Sequence, residues 1–178
     1  MAEESGAAME SELKLKDGAE VRIREARPED RPALESMFRS CSPETLYTRF
    51  LSPGLGVPLR YLDRLMLHRP PRVVSLVAET RDHGEPRIVA LMNFVETEPG
   101  ARGEIAIVVV DDHQNRGLGS AMLQHLYQMA AGLGIKKLVA DIDAGNRRVF
   151  HLIQRSSLPC QIRIDQGVAH AELEIEPT

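Results

Sequence analysis

Residues 105–110, Ile-Ala-Ile-Val-Val-Val, are an unbroken apolar run rich in β-branched side chains, the pattern of a strand covered on both faces. A polar break follows at 111–116. Leu118, Met122, Leu126, Met129, Ala130 and Leu133 then recur along one helical face. The pattern predicts a central strand, a loop and a helix spanning 104–133, and the other elements are arranged around them. Residues 20–26 alternate, with Val21 and Ile23 opposite Arg22 and Arg24, and read as a half-buried strand. Pro28 opens a helix that puts Leu34, Met37 and Phe38 on one side. Residues 42–50 form a short helix entered at Ser42 with Pro43 in its first turn. After a glycine- and proline-rich loop at 52–58 comes another helix, with Leu59, Leu62, Leu65 and Met66 as its apolar face. Residues 73–79 and 87–95 are two strands of a hairpin turning at Gly84, and Pro99-Gly100 turns the chain into the strand that starts near Arg102. A strand at 136–142, a helix at 145–155 and a strand pair at 161–165 and 168–174 complete the chain.

The turn before the central helix reads Gln114-Asn115-Arg116-Gly117-Leu118-Gly119. Glycine lets the backbone approach a ligand, and the first-turn N–H groups of a helix lack intrahelical partners. With the positive end of the helix dipole and Arg116 beside it, this is a site for phosphate groups. A Walker loop would need Gly-Lys-Ser/Thr at its end, where Gly119-Ser120-Ala121 stands. A dinucleotide fingerprint finds Gly117, Gly119 and the acid Asp141, but Met122 occupies the position of its third glycine.

The chain has 178 residues, 43% of them hydrophobic, enough for one domain with a full core. Its formal net charge of -4 lies within residues 1–20, where Glu3, Glu4, Glu10, Glu12, Asp17 and Glu20 face Lys14 and Lys16. Residues 1–18 are polar and acidic and read as a disordered tail, leaving 19–178 as a single domain that is formally neutral beyond residue 20. That balance points to neither nucleic acid nor a membrane surface. No stretch approaches a membrane span and no signal-peptide pattern opens the chain, so a cytoplasmic location is expected. Cys41 and Cys160 are read as free thiols, and neither they nor the six histidines show metal-ligand spacing, so no metal is expected.

The hexapeptide resembles the acetyl-CoA-binding signature of the GNAT acyltransferase superfamily, Gln/Arg-x-x-Gly-x-Gly/Ala between a strand and a helix. The element order over 20–176 is also similar to that superfamily, as is the asparagine in Asp143-Ala144-Gly145-Asn146, which falls where the family opens the helix after its fifth strand. Residues 42–50, Ser-Pro-Glu-Thr-Leu-Tyr-Thr-Arg-Phe, resemble a run in the bacterial protein-lysine acetyltransferase subgroup. The resemblance implies an α/β (α+β) fold with a mixed, mostly antiparallel sheet of six to seven strands and about four helices. It also implies acetyl-CoA as co-substrate.

Transfer of an acetyl group to an amine requires removal of a proton, because an alkyl ammonium has a pKa of about 10.4. The resemblance places the base at Glu104, whose plainer reading is a solvent-facing acid at a strand end. It makes the Val110 N–H the donor to the thioester oxygen, where an ordinary ladder bond is the alternative. The implied cofactor-binding set is Val108, Val109, Val110, Gln114, Asn115, Arg116, Gly117, Leu118, Gly119, Ser120 and Asn146. Within it, Arg116 either pairs with a phosphate or sits in solvent, and Asn146 either touches the pantetheine arm or caps a helix. His113 is read as a solvated loop histidine. Where many relatives carry a tyrosine that protonates the leaving thiolate, this chain has Ile153, and no general acid is assigned. The expected activity is direct acetyl transfer in a ternary complex, with a protein lysine as the favoured acceptor. A small-amine acetyltransferase and a non-catalytic acyl-CoA-binding regulatory domain are the alternatives. The edges of the last strand pair leave room for a homodimer.

Overall fold

In the computed structural model of the chain, residues 10–52, 59–65, 72–156 and 158–175 are described. The strands are β1 (Ser11–Lys14), β2 (Glu20–Glu25), β3 (Val73–Asp82), β4 (Glu85–Glu98), β5 (Arg102–Val109), β6 (Lys137–Asp143), β7 (Cys160–Asp165) and β8 (Val168–Glu174). They form one sheet in the order β1-β2-β3-β4-β5-β6-β8-β7. The helices are α1 (Arg31–Ser40), α2 (Pro43–Phe50), α3 (Leu59–Leu65), α4 (Leu118–Gly132) and α5 (Arg147–Ser156).

Every neighbouring pair is antiparallel except β5 and β6, whose connection through α4 makes them parallel. That parallel pairing lasts three residues, Arg102↔Lys137, Gly103↔Leu138 and Glu104↔Val139. Beyond it β5 stays registered on β4 as far as Val109, and β6 stays registered on β8 as far as Asp143. The two strands therefore part after Glu104, and a wedge opens in the middle of the sheet.

The register sorts side chains onto two faces. Glu104 opposes Val95 and Ala106 opposes Asn93, so Glu104 and Asn93 share a face, while Phe94 and Met92 look the other way with Ile105 and Ile107. On the Asn93 face the Tyr61 hydroxyl of α3 donates to Asn93 Oδ1 at 2.7 Å, and Asn93 Nδ2 donates to Ser75 Oγ at 2.9 Å. The rings of Phe38, Phe50 and Tyr61 join α1, α2 and α3, with centroids 5.3–6.4 Å apart. On the opposite face α4 buries Leu118, Met122 and Leu126 completely or nearly so. Helix α5 packs beside it, with Leu152 next to Gly119.

The sheet has one or two strands more than the sequence predicts, and there is one further helix. Residues 11–14 are the main correction to the expected tail. They form β1, paired with β2, and Leu15 just beyond is buried in the core. Glu12 and Lys14 alternate with only two apolar neighbours, Leu13 and Leu15, too short a pattern to announce a strand. Residues 1–9 lie outside the described residues. So do 53–58, which carry the predicted loop, and Met66 of the predicted third helix.

Candidate active site

The glycine turn closes the wide end of the wedge. Gly117 precedes the first residue of α4 as its N-cap, and its φ of 95° lies in the left-handed region that glycine adopts freely. Asn115, with φ 62°, is also left-handed, a conformation that asparagine tolerates better than most residues. A Cβ on Gly119 would sit at ordinary contact distance from Leu152 and Ile107, 3.6–3.8 Å, so the space at that position admits an alanine. The first-turn N–H groups of α4 are thus held open toward a cavity of about 990 Å³.

That cavity is lined by the turn residues Gln114, Asn115, Gly117, Gly119 and Ser120, by Val108 and Val109 of β5, and by Asn146. These are eight of the eleven residues expected to bind the cofactor. The side chains of the other three lie elsewhere. Leu118 points into the core, 1% exposed, and only its backbone faces the open helix end. The Arg116 guanidinium pairs with Asp17 at 2.5 Å and does not line the cavity. The Val110 N–H donates to the Val89 carbonyl at 3.0 Å, so it is a ladder bond and no oxyanion donor. The same alternation turns the N–H groups of Ile107 and Val109 away from β4, toward the side from which β6 has diverged.

Side chains outside the signature complete the wall. Lys16, Arg147, Arg148 and Arg155 line the cavity against Glu44 and Asp143, so its charge favours an anion. The loop is tied to α2 by Asp111, which accepts from the Ser42 N–H at 2.8 Å, the Ser42 hydroxyl at 2.7 Å and the Thr45 hydroxyl at 2.9 Å. Burial works to raise the pKa of Asp111, but these bonds outweigh it and hold the carboxyl below its usual range. Gln114 donates to the Val109 carbonyl at 2.9 Å and to Thr45 at 3.0 Å, and its own carbonyl accepts from Arg148. His113 is buried, contrary to the solvated reading, with Nδ1 2.9 Å from Asp112. Asn146 caps α5 by accepting from the Val149 N–H at 3.3 Å, and it lines the cavity as well.

Between the splayed strands lies a small apolar pocket of about 60 Å³. It shares Thr48, Ile107, Asn146, Val149 and Leu152 with the large cavity. Ile153 stands here, nearly buried, in the place of the family's tyrosine. On its far side the pocket shares Ala140 and Asp141 with a third cavity of about 490 Å³, whose walls include Arg102, Glu104, Arg163, His170 and Glu172. The three spaces thus adjoin one another across the gap in the sheet through shared lining residues, and Glu104 lines the third. Nearby, Arg49 lies between the rings of Phe50 and Tyr61, 5.0 and 4.9 Å from their centroids. Burial pushes its pKa down to about 10, against the attraction of the Glu104 charge.

The described residues include no cluster of three potential metal ligands, and no helix among them is long and apolar enough to cross a membrane. Neither the cations of α5 nor Lys16 is marked by any spacing in the sequence. They reach the cavity because α5 and the β1–β2 hairpin pack beside the turn.

Comparison with known proteins agrees with this geometry. Residues 32–157 match the model of the Acetyltransferase (GNAT) family. An acetyltransferase of Pseudomonas aeruginosa, PA5475, is 30% identical over 138 residues, covering 78% of this chain and 74% of that protein. The GNAT domain of S. lividans PAT superposes with a TM-score of 0.84 at 26% identity, over 96% of this chain and 99% of that one. The fold is also similar to that of yncA from Salmonella typhimurium, solved with acetyl-CoA, at a TM-score of 0.68 and 17% identity over 89% of this chain and 95% of that one. With a glycine turn, a wedge between parallel strands and a family match over most of its length, the chain belongs to the GNAT family of N-acetyltransferases.

Proposed function

We propose that the protein transfers the acetyl group of acetyl-CoA to a primary amine, with a protein lysine as acceptor, by direct attack in a ternary complex. The run of cavities across the gap between β5 and β6 carries this reading, because it sets a cation-rich cavity on one side and a cavity of mixed charge that includes Glu104 on the other. The large cavity suits the co-substrate. The first-turn N–H groups of α4 and the surplus of lining cations suit its phosphates, and the apolar throat of Ile107, Val149 and Leu152 suits its arm.

The amine approaches from the opposite cavity, where Glu104 attracts its ammonium form, Glu172 being paired with Lys137 and Arg102 and Asp141 with His170. Glu104 takes the proton, directly or through one water. The neutral nitrogen then bonds to the acetyl carbon, the cationic nitrogen of the adduct loses its second proton to water, and the C–S bond breaks with its electron pair leaving on sulfur. The N–H groups of Ile107 and Val109, facing the wedge, are suited to stabilise the oxygen charge that develops. No tyrosine stands at Ile153, so the thiolate leaves unprotonated or takes a proton from water.

Cys41 is a poor nucleophile for an acyl-enzyme route. Burial pushes its thiol up to about 11, and the charges of Asp111 and Asp112 act in the same direction. A lysine acceptor is supported by residues 42–50, whose run resembles that of the bacterial protein-lysine acetyltransferase subgroup and which contribute to the α2 wall of the site. The test is steady-state transfer to a lysine peptide by wild type and Glu104→Gln. Loss of about 10²–10⁴ in kcat with unchanged acetyl-CoA affinity is the expected result for a general base. A Glu104→Gln enzyme with wild-type kcat would rule that role out.

A further inference from the structure

We propose that Lys16 is a ligand of the co-substrate's pyrophosphate, carried to the glycine turn by the β1–β2 hairpin, which Asp17 clasps to Arg116. The proposal rests on acetyl-CoA being the co-substrate and adds a binding residue that lies outside the signature, 98 positions before Gln114.

The hairpin is fixed at three points. Leu15 is buried in the core, 5% exposed, and its N–H donates to the Ala19 carbonyl at 2.8 Å. The Lys16 N–H donates to the Arg116 carbonyl at 3.4 Å. Asp17 accepts from Arg116 at 2.5 Å through one carboxylate oxygen and from the Ala19 N–H at 3.2 Å through the other. Both backbone and side chain of Arg116 thus hold the hairpin turn.

This placement exchanges the roles that the sequence suggests. Arg116, inside the signature, has its charge spent on Asp17 and lies outside the cavity lining. Lys16 lines the cavity, and its Cε lies 3.8 Å from where a Cβ on Gly117 would be. The end of its side chain therefore lies beside Gly117, at the start of α4, whose first-turn N–H groups lack intrahelical partners. A lysine there acts as a compact point charge with three rotatable donors, suited to an anion already oriented by backbone N–H groups. Arg147, Arg148 and Arg155 approach from α5, on the other side of the cavity, so Lys16 is the cation that the N-terminal hairpin supplies.

The experiment is isothermal titration of wild type, Lys16→Gln, Asp17→Asn, Arg116→Gln and the Asp17→Asn/Arg116→Gln double variant with CoA and with 3′-dephospho-CoA. Lys16 is exposed, and an unchanged ligand-free melting temperature will show that each variant is folded. Lys16→Gln is expected to weaken both ligands by about tenfold, the loss of one charge-assisted contact. Asp17→Asn and Arg116→Gln are expected to weaken binding less, and the double variant no more than either alone, because both break the same clasp. If wild type binds CoA and Lys16→Gln binds it equally well, the proposal is overturned while the co-substrate reading stands. If the penalty vanishes with 3′-dephospho-CoA, Lys16 serves the 3′-phosphate and the pyrophosphate assignment is overturned. If wild type binds neither ligand, the co-substrate reading falls and the proposal falls with it.

Discussion

Gly103 precedes Glu104 in the three-residue segment where β5 and β6 are still paired, and its lack of a side chain is what admits Phe94. A Cβ at this position would lie 1.9 Å from Phe94 Cε2, 2.5 Å from Cζ and 2.8 Å from Cδ2. The ring is 0% exposed, so it can move only by displacing other core side chains. Overpacking of this kind costs about 1–3 kcal/mol, and three ring atoms inside contact distance place Gly103→Ala near the upper end, about 3 kcal/mol. For a chain of this size that is a fall of roughly 6–12 °C in melting temperature. Urea denaturation followed by circular dichroism measures it directly. The origin is checked by Phe94→Leu, which alone should cost about 1–2 kcal/mol through the space it leaves. Combined with Gly103→Ala it should restore at least about 1 kcal/mol of the expected sum. Since Glu104 is the next residue, Gly103→Ala should also lower kcat in the folded fraction. A Gly103→Ala protein within about 0.5 kcal/mol of wild type would refute the packing argument.

Asp30 and Arg24 are both nearly buried and joined by two bonds of 2.7 and 2.8 Å, with Glu79 also accepting from Arg24 at 2.8 Å. Replacing Asp30 by Ala leaves the guanidinium with one partner fewer in the interior and should cost about 3–5 kcal/mol by chemical denaturation. Burial tends to raise the pKa of Asp30, yet the bonds from Arg24 and from the Arg27 N–H overcome it and lower it. Its stabilisation is therefore complete above the unfolded value of about 3.9 and is lost as pH falls through the lower folded value, a slope that the Ala variant should lack. At the glycine turn, Gly117→Ala forces a Cβ onto φ 95° and should weaken CoA binding in a titration, whereas Gly119→Ala, with nothing closer than 3.6 Å, should bind within about twofold of wild type.

The strand, turn and helix from 105 to 133 are legible in sequence because both faces of β5 and one face of α4 are marked by apolar spacing, and the turn by glycines that the backbone requires. The hairpins around Gly84 and Gly167 are legible for the same reason, each glycine standing at positive φ. What sequence does not carry is which of two neighbouring polar groups faces the ligand. Arg116 and Lys16 exchange places because Asp17 lies within reach of one of them. Val110 is removed as a donor by the register of β5 on β4, which depends on long-range pairing. The wedge is likewise a property of two strands bound on their outer sides to different partners, and no residue pattern in β5 or β6 announces where they part.

The proposed reaction requires that CoA be released only when an amine is present, with Glu104 taking its proton. The most direct measurement is thiol release from acetyl-CoA by the purified chain, with a lysine peptide, a small polyamine or no acceptor. Release that needs an amine, is faster with the peptide and is lost in Glu104→Gln while acetyl-CoA still binds is the predicted result. Saturable acetyl-CoA binding with no release in the presence of any amine would contradict it and leave a domain that binds the acyl-CoA without using it.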